Sequence, residues 1–510
     1  MNDSSDTVRV YLSIWDYVIF AVYLLTSVFL GLMAGGKQKN LKTYLLAGHQ
    51  MHWALIAISI LAAIFSGISF LGAPAETFSH NLIYLWVVVA YFVATPITTV
   101  VFVPFFYRLN FYTAYEYLEH RFDLRLRRIS SAAFIFRVTL WLSLALFAPS
   151  LVISEMTQIP LWISVVFTGS VTLLYTIVGG MKAVIYTDVM QFSVLLLGIV
   201  AVLFVALRDT PGGIVGSWQV AEAAGRTQIW NFSFSLTERM TLLGAFLGGV
   251  FVNLVALVTD QVSVQRYLTA TSLSESQKAL WFKLFLTLPL VGLFYYTGVV
   301  LFAFYQAHPE MAATIGSPDR VLPHFIKDQL ASPLPGLLIA AILAATMSTV
   351  SAGVNSLTTA TVIDFLYAKN KETAHESEER ARVKVARLWT LIYGIITTIL
   401  ALGIGKLGTF VEASNKISGF FGGPLLGIFF LGVLSRRANA SGTLIGAIIG
   451  FSTVFVVGLF THVSFMWYAM IGCLVTYFAG EAFSLLFAPP NEKQRSFSLR
   501  PRQSDFSKKY

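Results

Sequence analysis

The sequence predicts an all-α polytopic membrane protein, on three observations. Of its 510 residues, 56% are hydrophobic and 14% aromatic, and the mean hydropathy is +0.71. A soluble globule of this size needs more polar surface. Apolar runs of ~20 residues, long enough to cross a bilayer as helices, recur along the whole chain. Two runs are interrupted, Ser59 to Pro74 and Asn253 to Gln261. Hydrocarbon tolerates a broken helix only where the freed carbonyls face protein, water or an ion, so the two breaks point to a buried binding site of the kind a transporter needs.

Taken in order, the apolar pattern gives about thirteen spans. The first, 13–35, follows a stretch whose only base is Arg9 and which has no small-residue cleavage site, so it reads as a retained helix. Spans 52–78 (with the first break), 82–107, 129–155, 160–178 and 183–207 follow. Asp209 to Gln228, with Pro211-Gly212-Gly213, reads as a short surface helix. Spans 238–264 (with the second break), 278–305 and 335–367 come next. The mixed-charge stretch Lys369 to Arg387 reads as a solvated loop with a helical start to 384–404, and 410–434, 440–461 and 464–487 complete the series. Nothing after Phe487 is long or apolar enough to fold alone, which leaves one membrane domain, 1–487, a tail, 488–510, and no room for an attached signalling module.

The composition excludes several functions. The single cysteine, Cys473, excludes an internal disulfide or a cysteine metal cluster. The eight histidines form no His-x-x-x-His pair, and no nucleophile-and-base motif is present, so neither a metalloenzyme nor another membrane enzyme is expected. The net charge of +9 has a simple distribution. With the N-terminus outside, inner loops hold roughly 25 Lys and Arg against about 7 outside, as the positive-inside rule demands. The clusters Arg121 to Arg128, Ser435-Arg436-Arg437 and Lys493 to Lys509 are then orientation signals, not a nucleic-acid site, and the C-terminus is cytoplasmic at a cell membrane. Asn231-Phe232-Ser233 is a glycosylation triplet of a kind that is common by chance.

Polar groups inside spans are costly unless they face a cavity or partner. The densest case runs from Ala344 to Ser356. Ser348 and Ser351 share a helix face with Ala345 one turn earlier, and Thr349 borders it. With carbonyls freed around Ala62 to Phe65, these groups supply about five oxygens, a shell that suits a hard monovalent cation. The competing reading is that small hydroxyl residues simply allow close helix packing and bond their own i−4 carbonyls.

The strings Val178 to Gln191, Thr113 to Phe122, Gln261 to Leu268 and Gly422-Gly423-Pro424-Leu425 resemble the sodium:solute symporter family, with the match running from about residue 13 to 487. The resemblance implies a leucine-transporter-type core of two inverted five-helix repeats, 52–207 and 238–434, with 13–35 as an extra N-terminal helix and 440–487 as two C-terminal helices. It implies sodium-coupled uptake of a small solute by alternating access. It also implies a sodium site made by the carbonyls of Ala62, Phe65 and Ala345 and the hydroxyls of Ser348 and Thr349. A second cation site would use Asp188 with Ser348 and Ser351, but Ala352 stands where sialic acid carriers have a further serine. Asp188 is left between a cation or proton site and a bond to a helix end.

By the same resemblance Ser66, Ser69, Tyr84, Trp141, Asn253 and Gln261 lie near the midplane pathway, where aromatics also serve as packing. Two buried cations, Arg137 and Lys416, suit an anionic substrate, because a guanidinium fork matches a carboxylate and an unpaired buried cation is costly. The alternative is internal pairing with Glu76, Glu155 or Glu412. Phe147-Ala148-Pro149-Ser150 and Met181-Lys182-Ala183-Val184 resemble the monocarboxylate, vitamin and iodide branch more than the sugar branch. The expected solute is therefore a small organic anion such as sialic acid or a monocarboxylate, with a neutral sugar as the alternative and a membrane sensor as a remote one. The expected partners are sodium ions, that substrate and the lipid bilayer, with the chain acting as a monomer.

Overall fold

The computed structural model describes residues 12–35, 40–108, 111–368, 376–404 and 408–499. Among the described residues the chain is helical, and ten helices are long and apolar enough to cross a bilayer, or eleven when a pair bent by 61° counts as one span. The spans begin with α1 (Ile14–Gly35), the bent pair α2 (Trp53–Ile64) and α3 (Gly67–Ser79), then α4 (Leu85–Tyr107), α5 (Leu124–Thr157) and α6 (Leu161–Asp209). A surface helix, α7 (Gly213–Ala223), lies where Pro211-Gly212-Gly213 suggested it. The second half holds α8 (Leu242–Leu254), α9 (Gln261–Tyr267), α10 (Leu273–Ala307), α11 (Leu334–Thr361), α12 (Glu376–Ala401), α13 (Phe410–Leu434), α14 (Ala440–Phe460) and α15 (Tyr468–Ser484).

Both expected breaks are present, and local chemistry explains each. At Phe65 (φ −81°, ψ 77°) the helix stops, and Ser66 restarts it as an N-cap whose hydroxyl accepts from the Ile68 amide at 3.2 Å. A Cβ on Gly67 would stand 2.5 Å from the Thr346 hydroxyl, so this junction lies directly against α11. In the second break α8 widens into a π turn, Val255–Thr259, before Asp260 caps α9 by accepting from the Val262 amide at 2.9 Å.

The expected spans 160–178 and 183–207 are the two arms of α6, which part at Gly180, where the backbone leaves the helical region. Gly180 has φ +61°, and a Cβ there would meet the Tyr44 carbonyl at 2.7 Å, so both backbone and space demand glycine. Taking α6 as two spans and adding the 17-residue α15 recovers about thirteen. The stretch 369–375 lies outside the described residues, and α12 is helical from Glu376.

α11 is the central post: 94% of its apolar window is buried, so its hydroxyl-rich face meets protein and not lipid. It packs on α6, α5, α1 and α2. Small residues permit close approach elsewhere, as where Gly446 of α14 faces Gly480 of α15. Not all of the basic cluster before α5 is an orientation signal. Arg121 is buried and donates to the carbonyls of Gly432 (3.0 Å) and Ser435 (2.7 Å). Arg127 is buried against Asp364 at 2.8 Å, whose carboxylate also accepts from Thr113 and Ser131.

Candidate functional site

The two broken helices enclose a cavity of about 230 Å³. Its wall takes Ala63, Phe65, Ser66 and Ser69 from the first break, Tyr84 from the residue that precedes α4, and Val87 and Tyr91 from α4. Arg137 and Trp141 come from α5, and Asn253, Asp260 and Ser263 from the second break. Thr287 of α10 and Ser414, Asn415 and Ser418 of α13 complete it. The lining is mostly apolar with a few convergent polar groups, the usual make-up of a small-molecule site.

On the α11 side the geometry suits a cation. The amide of Ser66 turns back to Ile64 at 3.0 Å, and the carbonyls of Ala62 and Phe65 receive no backbone amide among the described residues. These carbonyls form the C-terminal, electronegative end of α2. The Thr349 hydroxyl meets this end directly, 3.1 Å from the Ala63 carbonyl and 3.0 Å from that of Ala345 on its own helix. A hydroxyl whose proton goes to a carbonyl still offers lone pairs to a cation. Ser348 likewise donates to Asp188 at 2.6 Å and keeps its lone pairs. Of the expected set, Thr349 joins α2 to α11 through the Ala63 and Ala345 carbonyls, while Ser348 turns to Asp188.

The second cation site expected at Asp188 meets a different occupant. The Asp188 carboxylate is fully buried and faces Arg266 at 3.1 Å, while Ser59 (2.5 Å) and Ser348 donate to it. Arg266 of α9 supplies the positive partner from within the protein. Ser351 bonds the Ser348 carbonyl at 3.0 Å and does not turn to Asp188, as the close-packing reading of that helix had it. Arg266 was visible in the sequence only as part of a motif.

Six of the eight expected substrate residues, Ser66, Ser69, Tyr84, Arg137, Trp141 and Asn253, line the cavity. Gln261 does not: it holds the loop before α5, donating to the Tyr112 carbonyl (2.7 Å) and accepting from the Ala114 amide (3.0 Å). Lys416 does not either, because α13 turns Val411, Ser414, Asn415 and Ser418 inward and this spacing leaves Lys416 on its flank. The internal partners proposed for these cations are also corrected. Glu76 and Glu412 both bind Arg239 (2.8 and 3.0 Å), and Glu155 binds Arg320 (3.0 Å). Arg137 instead pairs with Asp260 at 2.7 Å, and its Nε has no hydrogen-bond partner although buried. Asp260, an acid in an apolar run at a helix break, was the signal to read. Asn415, donating to the Tyr84 hydroxyl at 2.9 Å, and Ser414, accepting from Trp141 at 3.1 Å, were also missed.

A model of the sodium:solute symporter family matches residues 44–450. Over 94% of its length the chain is 30% identical to a putative sodium-dependent multivitamin transporter of Drosophila melanogaster, covering 87% of that protein. It is 32% identical to the human sodium-coupled monocarboxylate transporter 1 over 88% of its own length and 73% of the relative's. Among solved structures it is similar to a substrate-bound, outward-open Na+-coupled sialic acid symporter, with a TM-score of 0.87, 26% identity and coverage of 94% of this chain and 99% of that one.

Proposed function

This chain belongs to the sodium:solute symporter family, and from that premise we propose that it imports a small organic anion together with sodium. It is a multi-pass membrane transporter with the leucine-transporter-type fold, it is not an enzyme, and sodium is its co-substrate. The solute is our own reading. The observation that carries it is Arg137, which lines the cavity with one nitrogen on Asp260 and a buried Nε still without a partner. A carboxylate fits those remaining donors. The N-terminal, electropositive end of the 13-residue α3 also opens on the cavity at Ser66, which favours an anion there. At about 230 Å³ the cavity is smaller than the roughly 300–1,000 Å³ of drug-sized sites. This supports a monocarboxylate over the bulkier sialic acid. The names of two relatives, for monocarboxylate and sialic acid, lie in the same chemical class.

The proposed mechanism uses the two broken helices as the moving contact. Sodium held by Ala62, Phe65, Ala345, Ser348 and Thr349 ties the end of α2 to α11, favours the solute-binding shape of the cavity, and so raises solute affinity. Its loss to the cytoplasm loosens that tie and releases the solute. In this scheme 52–207 and 238–434 are the two inverted repeats, the N-terminus is outside, and the chain works as a monomer.

One observation favours a neutral solute: the Arg137–Asp260 pair leaves the cavity with no net charge from these two groups. Competition separates the readings. Proteoliposomes given labelled pyruvate or sialic acid and an inward sodium gradient should take up at least one of them, with lactate competing and glucose not. Uptake of glucose alone would overturn the anionic reading.

A further inference from the structure

One buried cation has no role in this scheme. Lys283 of α10 is fully buried, and its Nζ has no hydrogen-bond partner. The ammonium stands over the ring of Tyr91, 3.3 Å from its centroid. No ion pair involves it among the described residues. Such a charge gains from the ring face, but a cation–π contact replaces only part of the water it has lost.

Its place is informative. Tyr91 lines the cavity, and so does Thr287, one helical turn from Lys283 on the same face of α10. Lys283 itself is not in the lining, and its Nζ rests on the ring of Tyr91, which is. One turn is about 5.4 Å, and Lys283 lies on the side where α10 begins at Leu273. In the topology proposed above that side is cytoplasmic.

Resting on the anionic reading, we propose that Lys283 is a second binding position for the carboxylate of the solute, one turn below the cavity and screened by Tyr91. Arg137 holds the carboxylate in the cavity. When Tyr91 swings aside, the carboxylate passes to Lys283, which has been without an anionic partner until then. No covalent step is involved. The lysine acts on release and leaves capture from outside untouched.

The test compares the purified full-length protein in proteoliposomes with its Lys283→Gln, Lys283→Met and Lys283→Arg variants, using labelled pyruvate and labelled sialic acid under a sodium gradient. Sodium-dependent thermal stabilisation verifies that each variant is folded. For Gln and Met, kcat should fall about tenfold with KM changed less than about twofold, while Arg keeps more than about half of the rate. Wild-type kinetics in the Met variant would show that the amine has no part in transport and overturn the proposal. Equal loss in the Arg and Met variants would overturn it too, since either cation should receive a carboxylate. Wild-type protein that carries neither anion would overturn the anionic reading, and this inference with it.

Discussion

Thr349 touches both sides of the proposed ion site: its hydroxyl lies 3.1 Å from the Ala63 carbonyl and 3.0 Å from that of Ala345. Thr349→Ala removes one of about five oxygens, so the sodium concentration needed for half-maximal uptake should rise about tenfold or more. Melting without sodium should change little, because the hydroxyl binds carbonyls and fills no large volume. Asp260 should behave otherwise. Asp260→Asn leaves Arg137 buried without its charge partner, which costs about 3–5 kcal/mol in comparable buried pairs. Its melting temperature should fall, and the double variant Arg137→Gln with Asp260→Asn should recover part of the loss. An additive double variant would show that the pair is not coupled. Arg137 was legible because an arginine in a span is odd for a membrane, whereas Ser66, Ser69, Tyr84, Trp141 and Asn253 came from the family resemblance alone. Gln261 and Lys416 were misjudged because a side chain's direction depends on the helix phase, and the partner of Arg137 lies 123 positions away.

At the level of elements, the helix breaks were legible because small and polar residues interrupt two apolar runs, though the first break falls at Phe65-Ser66, at the end of the expected Ala62 to Phe65 stretch. The division of α6 was legible as well: Val178-Gly179-Gly180 parts two apolar runs, and the packing of Tyr44 against Gly180 makes the junction a tight kink. Gly180→Ala adds a methyl at φ +61° and 2.7 Å from the Tyr44 carbonyl, so it should lower the melting temperature clearly. A melting temperature equal to wild type would mean that the kink relaxes without cost. Charge was less legible at Arg121 and Arg127. Their sequence context is that of an orientation signal, whereas their contacts reach carbonyls and a carboxylate more than two hundred positions away.

For the whole molecule, one face carries a linked set of charges. Arg239 joins Glu76 of α3 to Glu412 of α13, and the nearby Asp319 accepts from the Phe410 amide at 3.1 Å. Burial, with Glu76 and Glu412 close by, pushes the Asp319 carboxyl up to about 6 from its ordinary 3.8, against the pull of the Phe410 amide. The folded protein therefore holds this proton more tightly than the unfolded chain. The stabilisation is fully present below pH about 3.8 and is lost as pH rises through about 6. Its size is at most about 3 kcal/mol and less after solvent screening. Asp319→Asn should remove that part of the pH dependence, seen as a difference between the two melting curves across pH 4 to 7. A difference that does not change with pH would refute the shift. The assembly of this cluster depends on which loops meet at the ends of distant helices, which no local pattern reveals.

Sodium binding at the contact of α2 with α11 is the premise on which coupling, solute affinity and release all depend. The most direct test is sodium-driven uptake of labelled pyruvate, and of labelled sialic acid, into proteoliposomes holding wild-type protein or Thr349→Ala, measured over a range of sodium concentrations. Saturable sodium activation in the wild type, shifted to much higher sodium in the variant with folding intact, is the expected result. The same sodium dependence in both proteins would contradict a sodium site at this contact.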